Sequence, residues 1–148
     1  MNILAPVSTL MTPNPICIGE GETLSVAAKL FREHNIHHLP VLGEGKLVGI
    51  ISKSDFLFFR HGFSKNDSEK FEDDVRLNNY MARDIMTKKL AKLSPEDKIN
   101  VALEVFKENL FHAIPVVEND RIVGIVTTFD VINRLAIDAE AIASYEFK

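Results

Sequence analysis

The stretch Gly49-Ile50-Ile51-Ser52-Lys53-Ser54-Asp55 returns later in the chain as Gly124-Ile125-Val126-Thr127-Thr128-Phe129-Asp130, and the two align without a gap. The same offset superposes Met11-Thr12 on Met86-Thr87, Val26-Ala27 on Val101-Ala102, Phe31 on Phe106, His37 on His112, Pro40-Val41 on Pro115-Val116 and Val48 on Val123. Co-linear identities at one offset mark an internal repeat. Two copies are too few for a solenoid, in which about three units are needed to bury a continuous core. The two halves are therefore expected to pack on each other.

At 148 residues and 46% hydrophobic content the chain is long enough for one ordinary domain or two docked subdomains. The net charge of -4 is small and the basic residues are scattered, so the long-range field that draws proteins to nucleic acid or anionic membrane is missing. Neither partner is expected. No apolar run approaches the roughly 20 residues of a membrane span, and no basic region opens the chain, so a cytoplasmic location is expected. The single cysteine, Cys17, lies between Ile16 and Ile18 and reads as a buried hydrophobe, with no neighbouring cation to make it a nucleophile.

Each copy follows one plan after its Met-Thr start. A short extended piece (16–18, then 91–93) precedes a helix, whose inward face is Val26, Ala27, Leu30, Phe31 and His34 in the first copy and Val101, Ala102, Val105, Phe106 and Leu110 in the second. Ser94-Pro95-Glu96-Asp97 carries helix-start or turn chemistry, where the first copy has Gly19-Glu20-Gly21-Glu22. Two strands then flank a three-residue loop, Gly43-Glu44-Gly45, and again Glu118-Asn119-Asp120. The runs 47–51 and 122–126 are continuously apolar, which predicts strands covered on both faces. A second helix follows from about Asp55 and from about Asp130. The expected layout is a first repeat at 1–60, a linker at 61–80, a second repeat at 81–140 and a tail at 141–148. The linker is polar and acidic, expected to be mostly solvated, with Phe71 and Val75 placed to anchor a short helix. The tail offers Ile137, Ala141 and Tyr145 to extend the last helix or to meet a partner chain.

With these residues in view, the chain resembles a tandem pair of cystathionine-β-synthase (CBS) domains, a Bateman module. The marks are the opening Met-Thr, the helix running into Leu39-Pro40-Val41 and Ile114-Pro115-Val116, and the Gly-apolar-apolar-Ser/Thr-x-x-Asp ending of the second strand. Three marks in order, twice, cover nearly everything outside the linker. The resemblance implies an α+β fold of two β-α-β-β-α CBS repeats packed with pseudo-twofold symmetry, two clefts between the repeats that can each bind an adenosine ligand, and a homodimer.

The motif also has a chemistry of its own. A strand ending at Ser52 or Thr127 and entering a helix directs backbone N–H groups and the positive end of the helix dipole outward, a setting for phosphate. The hydroxyl adds a donor, and Asp55 or Asp130 can accept both hydroxyls of a ribose. Ser-x-x-Asp and Thr-x-x-Asp also serve as helix caps, and spacing alone leaves the two roles open. Gly49 and Gly124, inside strands, indicate close approach of a backbone or ligand, or packing of the paired sheets. Lys53 can pair with phosphate, whereas the second copy has Thr128 and Phe129, so two occupied sites are expected to differ. By the resemblance, His37 and His112 stand where nucleotide-sensing members of the family meet phosphate, and His38 takes a place often held by arginine. His34, His37 and His38 have metal-like spacing on a helix, but Pro40 argues that the helix has ended.

The ligand-binding candidates are thus Ser52, Lys53, Asp55, Thr127, Thr128, Asp130, His37 and His112, with no catalytic or metal residue. The sequence has no Ser/His/Asp or Cys/His arrangement and no Walker or Rossmann glycine pattern, so no enzyme is expected. No cofactor is required; an adenine nucleotide (AMP, ADP or ATP) is the expected regulatory ligand. The expected function is a regulatory sensor of AMP or ADP controlling a separate, unidentified protein, since the pair uses the whole of the 148 residues. The alternatives are a ligand-free dimerisation or interaction module and an S-adenosylmethionine or ATP binder.

Overall fold

The structure, a computed structural model, describes residues 1–61 and 70–138. After a 3-10 turn at Val7–Thr9 come β1 (Thr12–Pro13), β2 (Ile18–Gly19), α1 (Leu24–Glu33), β3 (His38–Gly43), β4 (Lys46–Ser52) and α2 (Lys53–His61). Then follow α3 (Lys70–Asn79), α4 (Ala82–Ile85), α5 (Ile99–Lys107), β5 (Ala113–Glu118), β6 (Arg121–Thr127) and α6 (Thr128–Asp138). The fold is α+β, with two separate three-stranded sheets, β2-β3-β4 and β1-β6-β5.

The chain divides into two compact units, residues 15–90 and residues 1–14 together with the chain from Ala91 onward. The sheets explain this division. In the first unit, β2 runs parallel to β3, β3 and β4 form an antiparallel hairpin, and Thr87 bridges antiparallel to Ile50 on the far edge of β4. The second unit repeats the pattern: Leu93 bridges parallel to Val116, β5 and β6 form the hairpin, and β1 pairs antiparallel with β6 at Thr12–Ile125. Each Met-Thr segment, expected to head its own copy, therefore completes the sheet of the other copy.

Packing at the strand glycines shows why. A Cβ on Gly49 would overlap the side chain of Met86, and one on Gly124 would overlap that of Met11. Each glycine leaves room for the methionine of the incoming segment, so the close approach expected at these positions is made by a side chain.

The cores follow the expected helical faces with three departures. In α1, Leu24, Ala27 and Phe31 are buried, and the Phe31 ring lies 5.5 Å from that of Phe56 in α2. Burial of each large side chain is worth about 1.5–3 kcal/mol. His34 is not on that face: the helix ends at Glu33 and His34 is its exposed C-cap, in extended backbone. In α5, Ile99 and Ala102 are buried, but Val101 is exposed and Leu110 lies beyond the helix, 76% exposed. Asn109, at φ 54, turns the chain before Leu110 can complete the stripe.

The hairpin loops are two residues, not three. Glu44 and Gly45 have φ of 51 and 77, and Asn119 and Asp120 have φ of 51 and 64. Positive φ at both central positions is the primed turn whose twist suits a β-hairpin. Gly49, Ile50 and Ile51 are buried in succession, as are Gly124, Ile125 and Val126, which agrees with strands covered on both faces. Ser94 and Asp97 form a turn rather than a helix start: the Ser94 amide donates to the Asp97 carboxylate at 2.7 Å, matched by Gly19 donating to Glu22 at 2.6 Å. The expected solvated linker contains α3, held by buried Leu77, while Val75 is exposed. The tail residues Ala141 and Tyr145 lie outside the described residues; Ile137, in α6, is exposed. Among the described residues no helix is long and apolar enough to cross a membrane.

Cys17 is half-buried rather than fully so, and its thiol donates to the Pro15 carbonyl at 3.2 Å. Burial pushes the thiol pKa up, because charge is penalised away from water. The folded state therefore holds its thiol proton to higher pH than the unfolded chain, and stability falls as pH rises through the alkaline range where the unfolded thiol ionises. Alkylation by N-ethylmaleimide at mildly alkaline pH should be slower in the native protein than in urea; equal rates would contradict this environment.

Candidate ligand-binding site

β4 passes into α2, and β6 into α6, without an intervening residue. The first amides of each helix need acceptors, and the two junctions supply them in matching ways. The Asp55 amide donates to Ser52 Oγ at 3.0 Å, and the Asp130 amide to Thr127 Oγ1 at 3.2 Å. The Lys53 amide donates to the His37 carbonyl at 2.8 Å, and the Thr128 amide to the His112 carbonyl at 3.1 Å. These bonds gather the sequence candidates into two clusters, one in each unit. His37 joins Ser52, Lys53 and Asp55; His112 joins Thr127, Thr128 and Asp130. Both histidines are exposed.

The capping role is therefore present in both copies, and it corrects the expectation of a row of free amides. At each junction, two of the first three helical amides are already engaged, leaving those of Ser54 and Phe129 between them. The positive end of a nine-residue helix stands behind the first cluster and that of an eleven-residue helix behind the second.

The carboxylates differ. Asp130 Oδ2 accepts both the Thr127 amide and the Thr127 hydroxyl, each at 2.7 Å, closing a reciprocal capping box. Asp130 is half-buried. Asp55 is exposed, and its carboxylate has no hydrogen-bond or ion-pair partner among the described residues. Lys53, half-buried in the same turn, likewise has no ion-pair partner among them. Ser52 and Thr127 differ as well: a hydroxyl that only accepts keeps its proton for another acceptor, whereas that of Thr127 is spent on Asp130. Among the described residues no three His, Cys, Asp or Glu side chains are grouped to hold a metal ion.

Sequence reasoning did not foresee the His37 and His112 carbonyls as backbone partners of the helix starts, nor the seating of Met86 and Met11. The constant offset pairs Met11 with Met86 and Gly49 with Gly124, but nothing in it says which methionine meets which glycine.

The CBS domain family matches the chain twice, at residues 7–62 and 82–137, and the protein belongs to that family. Among its relatives is the protein MJ1225 of Methanocaldococcus jannaschii, 34% identical over an alignment of 138 residues that covers 88% of this chain and 47% of MJ1225, about half its length. Hypoxic response protein 1 of Mycobacterium tuberculosis is 30% identical over 127 residues, covering 85% of this chain and 82% of that protein. The crystal structure of the CBS domain pair of protein MJ0100, in complex with 5'-methylthioadenosine and S-adenosyl-L-methionine, superposes with a TM-score of 0.67 at 29% identity, covering 88% of this chain and 98% of the other.

Proposed function

We propose that this chain is a non-catalytic regulatory module that binds an adenine nucleotide, AMP or ADP, at the two strand-to-helix junctions and controls a separate partner protein. The observation that carries this reading is the Asp55 cluster. A carboxylate and an ammonium with no partner among the described residues, and a hydroxyl with its proton available, lie within one helical turn at the positive end of a helix dipole. A ribose diol suits the carboxylate, and a phosphate suits the ammonium, the hydroxyl and the dipole. One nucleoside phosphate satisfies all of them. The related MJ0100 pair, crystallised with two adenosine compounds, supports the adenosine class.

A homodimer is part of the same proposal. α6 exposes Phe129 (69%), Ile132, Leu135 and Ile137 to solvent, an apolar surface of the kind that marks association sites. That surface also favours the second reading, a ligand-free interaction module. Calorimetric titration with AMP, ADP, ATP and S-adenosylmethionine separates the two: saturable binding of one of them supports the sensor, and heat of dilution alone with all four leaves the interaction module.

A further inference from the structure

The two junctions share a motif but not a state, and the difference bears on which ligand each prefers. We infer that they form unequal sites: the Asp55 copy takes a phosphorylated adenine ribonucleotide tightly, and the Asp130 copy takes an adenosine ligand weakly and with little preference for phosphate. This rests on the proposed function.

In the Asp55 copy each side chain that would meet the ligand keeps a free donor or acceptor for it among the described residues. The carboxylate and the Lys53 ammonium have no partner among the described residues, and the Ser52 hydroxyl accepts from Asp55 without donating. Binding there breaks no hydrogen bond of the Asp55 carboxylate or the Lys53 ammonium among the described residues.

In the Asp130 copy one carboxylate oxygen is held by two donors from Thr127, and the Thr127 hydroxyl proton is consumed in doing so. A bidentate grip on a ribose requires that oxygen to leave its cap or to be shared, and the hydroxyl cannot donate to phosphate until it does. The position of Lys53 is filled by Thr128, and the next by exposed Phe129, so the turn supplies no cation of its own. Phosphate therefore gains less there than at Lys53.

The test is calorimetry of the full chain with AMP and with adenosine. Two AMP-binding events are expected, with dissociation constants at least about tenfold apart. Asp55→Asn should weaken the tight event by about tenfold and leave the weak one in place, and Asp130→Asn should weaken only the weak one; asparagine keeps an acceptor oxygen for Thr127, so the cap and the fold persist. Lys53→Met should narrow the gap between the tight AMP affinity and that for adenosine, the Ser52 hydroxyl and the helix dipole keeping part of it. Two equal sites, or a tight event unchanged by Asp55→Asn and weakened by Asp130→Asn, would overturn the inequality while leaving nucleotide sensing intact. If wild-type protein binds neither AMP nor adenosine, the sensor reading falls and the inequality with it.

Discussion

Gly49→Val is expected to destabilise the protein by about 1–3 kcal/mol, the usual cost of forcing extra volume into a packed interior. The first added carbon alone would overlap Met86, meeting not only its sulfur but also Cγ and Cβ. The sulfur can swing aside; the Cβ moves only with the backbone. That backbone is held, because Thr87 and Ile50 exchange two hydrogen bonds of 2.9 and 3.0 Å. Strain at Gly49 is therefore passed to the segment that closes the edge of β4. Met86→Ala should return part of the loss when combined with Gly49→Val, which a double-mutant cycle in urea will register as a coupling energy. Strict additivity would show that Met86 is not what occupies the space. Gly124→Val should cost less, since its overlaps are with the outer atoms of Met11, Sδ, Cγ and Cε, which a flexible side chain can withdraw.

Asp55→Ala is expected to weaken AMP binding by about ten- to a hundred-fold, the loss of one or two charge-assisted hydrogen bonds to the ribose. Stability should barely move, because the Asp55 carboxylate has no internal partner among the described residues and the cap is made by Ser52 Oγ accepting the Asp55 amide. Asp130→Ala makes the contrast. It removes the acceptor of two 2.7 Å bonds, and losing a capping side chain of this kind costs about 0.5–2 kcal/mol. Urea midpoints measured beside calorimetric affinities thus divide the roles of one motif between its two copies. If Asp55→Ala lowers stability and leaves AMP affinity unchanged, the carboxylate serves the fold and not a ligand.

Much of this was legible in the repeat. Apolar periodicity placed α1 and α5, the Leu-Pro-Val and Ile-Pro-Val junctions placed the hairpins, and the shared motif placed the starts of α2 and α6. Local chemistry misled where geometry is shared between neighbours. Gly43 has the composition of a loop residue but closes the ladder with Lys46, leaving Glu44 and Gly45 as the turn. Leu110 fits a helical stripe by spacing, yet Asn109 in the left-handed region ends the stripe first. The exchange of Met-Thr segments was not legible, because pairing Thr87 with Ile50 or Thr12 with Ile125 is a choice between identical copies that periodicity cannot make. In the candidate site, residue types showed which groups could meet a nucleotide. They did not show that Asp130 is committed to its cap while Asp55 is not, since Ser and Thr followed by the same Asp permit either state.

On this reading a nucleoside phosphate is held where β4 passes into α2. An amide nitrogen–proton NMR titration of the full chain with AMP addresses it residue by residue. Saturable shifts concentrated at Ser52, Lys53, Ser54 and Asp55, with His37 beside them, are the predicted result. A spectrum unchanged at millimolar AMP, or saturable shifts that leave those residues and their counterparts at Thr127–Asp130 untouched, would contradict it.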